Sequence, residues 1–108
     1  MRYGLNELTI AKIHGVLAQY RQVEKAILYG SRARGNYKTG SDIDLTLLGG
    51  HDLDLSVLYH IMDEIDELFL PYTFDISILR SINDQDVLDH IKQFGKVFYE
   101  KTPEIYAA

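Results

Sequence analysis

The sequence predicts an α/β (α+β) fold, a small mixed β-sheet with helices on one of its faces. Short apolar or alternating runs of strand length end at glycine, proline or polar turn residues, and between them lie segments with apolar residues at helical spacing. The predicted order is α, β, short α, β, α, β, α, which is typical of one sheet covered by helices. With 108 residues, 46% of them hydrophobic, the chain is expected to form one domain over residues 1–108.

The first elements are a helix and a buried strand. The helix is predicted over residues 6–21 from apolar residues at helical spacing, namely Ile10, Ile13, Leu17 and Tyr20. The candidates for its N-cap are Asn6 and Thr9. The strand is predicted over residues 23–29, because a short apolar run there is ended by Gly30. A single helical turn over 31–35 and a polar loop over 35–41 follow.

The middle of the chain is predicted to form a second strand and an amphipathic helix. The strand covers residues 42–48 and ends at two glycines. The helix follows with Asp52 or Asp54 as its cap, and Pro71 stops it. Its apolar face is formed by Leu55, Leu58, Met62, Ile65 and Phe69.

The last part of the chain is predicted to add a third strand and a final helix. The strand covers residues 72–79, where apolar residues alternate with Asp75 and Ser77. Asn83 is the predicted cap of the final helix, and Gly95 closes it. A short extended piece over 97–99 follows.

Composition excludes several classes of function. The 16 acidic and 11 basic residues give a net charge of −5, which argues against bulk nucleic-acid binding. There is no cysteine, so oxygen or imidazole must supply any metal ligands. No apolar run is long enough for a membrane span or has the form of a signal peptide, so a cytoplasmic location without membrane partners is expected.

Three aspartates form the candidate metal and catalytic site. Asp42 and Asp44 lie two residues apart in a predicted strand, so their side chains project from one face. Two carboxylates about 5 Å apart repel by roughly 3 kcal/mol at an effective dielectric constant of 20, and Mg²⁺ is the cation that best offsets this. Asp75 lies beside them if the second and third strands are neighbours. Three such carboxylates suit two metal ions in a phosphoryl displacement.

The segment from Gly30 to Lys38 is the candidate phosphate-binding element. Gly30 lets the backbone approach a ligand closely, and Ser31 adds a hydroxyl donor to the backbone N–H groups of a turn. Arg32, Arg34 and Lys38 are nearby cations. We favour Arg34 as the phosphate ligand, although either arginine is equally compatible with a surface role.

Other interpretations of these residues are weaker. The Gly-Ser pair alone fits a simple turn, and the paired aspartates alone fit a solvated strand end, but their combination with Asp75 favours a site. Ser31 has no evident His and Asp partners, which argues against a nucleophilic serine. The four histidines lack metal-ligand spacing, so no zinc site is predicted.

Gly30-Ser31, ten intervening residues and then Asp42-Ile43-Asp44 resemble the G-S and D-x-D motif of the DNA polymerase β-like nucleotidyltransferase superfamily. The chain is similar to its minimal nucleotidyltransferase (MNT) branch, and the likeness extends from the first helix to the last. The resemblance implies that Gly30 and Ser31 bind nucleotide phosphates, while Asp42 and Asp44 ligate Mg²⁺. It implies that Asp75 completes the metal site and assists deprotonation of the acceptor.

The resemblance also implies a function and a partner. MNT proteins occur as antitoxins beside HEPN-domain toxins, and active members transfer AMP from ATP to a tyrosine of the toxin. The expected partner is thus a HEPN-domain protein encoded by an adjacent gene, in a homo- or hetero-oligomer. Two alternatives stay open: a non-catalytic nucleotide-binding antitoxin that acts by complex formation, and a transferase for a small molecule.

Overall fold

A computed structural model describes residues 1–102 and shows a four-stranded mixed sheet with four α-helices. The elements in chain order are α1 (Glu7–Leu17), β1 (Lys25–Tyr29), α2 (Gly30–Arg34), β2 (Ile43–Leu48), α3 (Leu55–Asp66), β3 (Phe74–Ile78), a 3₁₀ turn (Leu79–Ser81), α4 (Gln85–Phe94) and β4 (Lys96–Glu100). The strand order is β3-β2-β1-β4. β1 is antiparallel to β2 and β4, whereas β2 and β3 are parallel. The predicted fold class is confirmed.

Side-chain caps fix where three helices begin. Asn6 accepts the N–H of Thr9 at 2.8 Å and caps α1, and Asp54 is the cap of α3. The prediction of Asn83 as the cap of α4 was wrong by one residue. Asp84 has the extended backbone of a cap, and its carboxylate accepts the N–H of Asp86.

The hydrophobic core lies on one face of the sheet, beneath α1 and α3. Alternate residues of the two central strands point into it and are fully buried, namely Ala26, Leu28, Ile43, Leu45 and Leu47. The apolar stripes of the two helices close over them, with Ile10, Ile13, Leu17, Ile61 and Ile65 in the same cluster. These two helices follow the predicted arrangement on one face.

α4 packs over the other face of the sheet. Ile27 is paired with Thr46 and points away from the core, and the backbone at Gly95 lies close against its side chain. Ile91 of α4 is buried outside the main core cluster. The prediction of helices on a single face therefore describes α1 and α3, whereas α4 lies on the face that carries the polar residues of β2.

The predicted extended piece at 97–99 is a full strand of the sheet. β4 pairs with β1 across a register shift between Ala26 and Ile27. Two predicted helices are shorter than expected, since α1 ends at Leu17 and α3 ends at Asp66. Over residues 1–102, no helix combines the length and the apolar character needed to cross a lipid bilayer.

Candidate active site

Asp44 and Asp75 lie side by side on the polar face of the sheet. The parallel register of β2 and β3 pairs Asp44 with Asp75 and Thr46 with Ser77. The hydroxyl of Ser77 donates to that of Thr46 at 3.0 Å, so these pairs share one face. The second and third strands are thus neighbours, which is the condition set for Asp75, and their pairing brings the two carboxylates together.

Asp42 precedes β2 by one residue. Its carboxylate accepts a hydrogen bond from the hydroxyl of Thr73, which lies just before β3. As the side chains stand in residues 1–102, no group of three or more histidine, aspartate or glutamate side chains is placed to hold a metal ion. The carboxylates therefore supply the right chemistry for a hard cation, while Asp42 is engaged by a neighbouring hydroxyl.

Asp44 lies in an environment that disfavours its charge. Partial burial raises the pKa of its carboxyl group above the ordinary value, and the negative charges of Asp75 and Asp42 raise it further. The neighbouring His90 and Arg32 oppose this rise without cancelling it. A cation bound between the carboxylates would relieve the same repulsion.

Gly30 meets the Asp44 side chain at the start of α2. Gly30 has a left-handed φ of +75°, and a Cβ at this position would collide with the Asp44 carboxylate. The site thus requires a residue without a side chain here, for both conformation and space. Ser31 follows as a half-buried residue, so the predicted phosphate-binding pair lies directly beside one of the predicted metal ligands.

Arg32 is a buried structural residue. Its guanidinium donates to the carbonyl of Ser41 at 2.8 and 3.1 Å and to the carbonyl of Tyr3 at 3.0 Å. The rings of Tyr37 and Tyr72 flank it at 5.5 and 5.0 Å. Arg32 therefore fixes the loop that leads into Asp42. The sequence pattern alone could not distinguish this structural role from a surface role.

Arg34 and Lys38 are exposed on the surface. The guanidinium of Arg34 lies over the ring of Phe94 at 4.9 Å, and the residue is exposed. Lys38 is exposed as well, and its backbone N–H donates to the hydroxyl of Ser41. Arg34 is thus available at the end of α2 that lies away from Gly30.

His90 is a site residue that the sequence did not reveal. The backbone N–H of Gly30 donates to Nε2 of His90 at 2.8 Å. The imidazole also lies edge-on to Tyr29 and 5.2 Å from the ring of Phe94. Sixty residues separate His90 from Gly30, and no motif links them.

Comparison with known proteins identifies the family of the chain. Residues 11–104 match the model of the polymerase beta nucleotidyltransferase family. A protein of Methanocaldococcus jannaschii that has been proposed to be a protein adenylyltransferase is 36% identical over 61 residues, which cover 56% of this chain. The match also spans 56% of that relative's length.

Two solved structures share the fold. A toxin–antitoxin complex with AMP-PNP contains a chain with a TM-score of 0.66 and 23% identity, matched over 90% of this chain and 75% of that one. A complex of tri-AMPylated HEPN toxin with MNT antitoxin from Shewanella oneidensis gives a TM-score of 0.65 and 19% identity over 90% and 74% of the two chains. At these identities the likeness concerns the fold. The family match covers most of the sequence, and the chain belongs to the polymerase β nucleotidyltransferase family.

Proposed function

We propose that this protein transfers an adenylyl group from ATP to a hydroxyl group of a HEPN-type partner and thereby acts as its antitoxin. The observation that carries the proposal is the Asp44 and Asp75 pair on one face of the sheet, with Gly30 against it. An acidic pair beside a glycine that opens a short helix suits phosphoryl transfer. The carboxylates can bind cations, and the backbone N–H groups of the glycine turn can bind phosphates.

Asp42, Asp44 and Asp75 are the residues that would hold magnesium, with two ions as the expected number. Their donor set is all carboxylate, which fits a hard cation. Burial and the negative charges of Asp75 and Asp42 raise the pKa of Asp44, and a bound cation would favour its charged form. When bound, magnesium would neutralise charge on the phosphates and the attacking oxygen.

The protein's own groups account for the remaining steps. Ser31 and Arg34 orient the phosphates of ATP at the two ends of α2. An acceptor oxygen attacks the α-phosphorus, the bond from that phosphorus to the oxygen bridging to the β-phosphate breaks, and pyrophosphate leaves. The acceptor's proton passes to the carboxylate of Asp75, which is exposed and so accessible to a docked hydroxyl group.

The proposal of a HEPN partner rests on the family and on the structural neighbours. The Shewanella oneidensis complex pairs an MNT antitoxin with an AMPylated HEPN toxin, on the same fold as this chain. We infer that a HEPN protein encoded by an adjacent gene supplies the acceptor here.

The test is transfer of label from ATP carrying a radioactive α-phosphate. The protein is incubated with magnesium, this ATP and the purified HEPN protein from the adjacent gene. We expect label on the partner with the wild type and with Asp52→Asn, which changes an exposed aspartate outside the site. Asp44→Asn should abolish labelling. A partner that binds the protein yet stays unlabelled, or labelling by Asp44→Asn, would contradict the proposal.

A second candidate function is neutralisation by complex formation alone. It is favoured by the hydrogen bond from the Thr73 hydroxyl to the carboxylate of Asp42, which engages one of the predicted metal ligands within the protein. This alternative predicts that an Asp42→Asn, Asp44→Asn double variant still protects cells from the partner. Loss of protection with an intact complex would exclude it and leave catalysis as the function.

A further inference from the structure

α4 contacts both ends of the short helix α2. At one end, Nε2 of His90 accepts the backbone N–H of Gly30 at 2.8 Å. At the other end, the ring of Phe94 lies under the guanidinium of Arg34 at 4.9 Å. His90 and Phe94 are four residues apart, so they lie on the same face of α4, and their rings are 5.2 Å apart.

We infer that α4 positions the nucleotide-binding groups of α2, with His90 orienting the Gly30 peptide and Phe94 holding the Arg34 side chain. This inference rests on the proposed function, because it concerns how the same site binds ATP. His90 and Phe94 are positioning residues, since each acts through the residue that it contacts.

The Gly30 peptide needs such a contact. Its φ of +75° is left-handed, and glycine adopts such values about as readily as negative ones, so the local sequence alone does not fix the orientation of this peptide. On one side it meets the Asp44 carboxylate, and on the other it donates to His90. Fixing that N–H fixes the entry into α2, where Ser31 follows directly.

Phe94 has a comparable effect on Arg34. A long, exposed arginine samples many rotamers, and ordering it on binding a phosphate costs free energy. The face of the Phe94 ring restricts the guanidinium before the nucleotide arrives. Both contacts therefore preorganise the site for the same ligand.

The binding test uses AMP-PNP with magnesium as the probe and isothermal titration calorimetry as the measurement. His90→Phe keeps a ring but removes the acceptor, whereas His90→Gln places an acceptor oxygen at a similar reach. We expect His90→Phe to weaken binding about fivefold, equivalent to a hydrogen bond of about 1 kcal/mol, and His90→Gln to restore most of it. Phe94→Leu should weaken binding about threefold, the size of an exposed cation–π contact.

The matched control is His60→Phe, the same substitution at an exposed position of α3, which should bind like the wild type. Unchanged binding by His90→Phe would overturn the inference. Tighter binding would overturn it too, because it would show that His90 competes with a phosphate for the Gly30 N–H.

A second measurement separates this inference from the proposed function. Amide hydrogen exchange at Gly30, followed by NMR in the nucleotide-free protein, should be faster in His90→Phe than in the wild type and near normal in His90→Gln. If the wild type fails to bind AMP-PNP, the proposed function is wrong, and unchanged exchange at Gly30 in His90→Phe would refute the positioning role independently.

Discussion

Asp44→Asn is expected to stabilise the nucleotide-free protein at neutral pH, although it should abolish transfer. The carboxyl group of Asp44 is partly buried and lies beside Asp75, and its pKa is raised by that burial and by the negative charges of Asp75 and Asp42. An amide has nearly the same shape and carries no charge, so it removes the repulsion without leaving a cavity.

The magnitude follows from the pairing of Asp44 with Asp75 on neighbouring strands. Two charges about 5 Å apart repel by roughly 3 kcal/mol at an effective dielectric constant of 20. Asp75 is exposed, and Asp44 only partly buried, so solvent screening reduces this to about 1 kcal/mol. For a protein of this size, that corresponds to a rise of about 4–8 °C in Tm.

The direction of the pKa shift determines how the stability advantage of Asp44→Asn changes with pH. Because the folded-state pKa of Asp44 lies above its ordinary value of 3.8, the folded protein favours the protonated carboxyl group. Its contribution to stability is present below pH 3.8 and is lost as the pH rises through the folded-state pKa. The advantage of Asp44→Asn should therefore appear above that range and vanish below it.

Thermal unfolding followed by circular dichroism at pH 7 and pH 3, without magnesium or nucleotide, tests this reasoning. Asp52→Asn serves as the control, because Asp52 is exposed. Equal or lower stability of Asp44→Asn at pH 7 would refute the electrostatic argument. An equal gain at pH 3 would mean that the gain has a cause other than charge.

Three further substitutions test other contacts. Gly30→Ala should abolish AMP-PNP binding in calorimetry and lower Tm, because a Cβ would collide with the Asp44 carboxylate at a left-handed φ. Arg32→Lys should lower the free energy of unfolding in urea by about 2 kcal/mol, since lysine keeps the charge but loses the forked hydrogen bonds. The hydroxyl of Tyr20 donates to Glu64 at 2.8 Å, and burial and this bond raise the pKa of Tyr20 to about 12. The contribution of Tyr20 to the free energy of unfolding should be lost as the pH rises from 10 to 12. In urea unfolding, Tyr20→Phe should make the free energy of unfolding less dependent on pH over that range.

The sequence was sufficient for three of the four strands, whereas the pairing of the carboxylates depended on a strand order that it did not supply. Alternation is a local pattern, so it predicted that Asp42 and Asp44 share one face of their strand and that Asp75 shares a face with Ser77. The structure adds the pairing of β2 with β3, which brings Asp44 and Asp75 together. The nucleotide-binding roles of Gly30, Ser31 and Arg34 remain predictions.

Contacts between distant elements could not be predicted in the same way. Nothing in the sequence marks His90 as a site residue, because the other residues of α4 already explain the amphipathic pattern of that helix. The hydrogen bond between His90 and Gly30 depends on how α4 lies over the sheet. The burial of Arg32 depends on the carbonyl of Tyr3 and the ring of Tyr72, both of which are distant from it in the sequence. The cap of α4 was misplaced because Asn83 and Asp84 are both good cap residues, and only the backbone conformation in the structure identifies Asp84 as the cap.

α4 should be less stable than α1 and α3, the two helices that cover the core. The structure describes every residue of α4, and Ile91 is the one that is buried. By comparison, α1 has five buried residues. Few buried contacts allow local opening at a lower free energy than that of the sheet. The amides of α4 should therefore exchange with solvent faster than those of β2, and magnesium with AMP-PNP should slow exchange in α4 more than in β2. Equal protection of the two elements would mean that α4 is a fixed part of the core, and that His90 and Phe94 hold α2 without responding to the ligand.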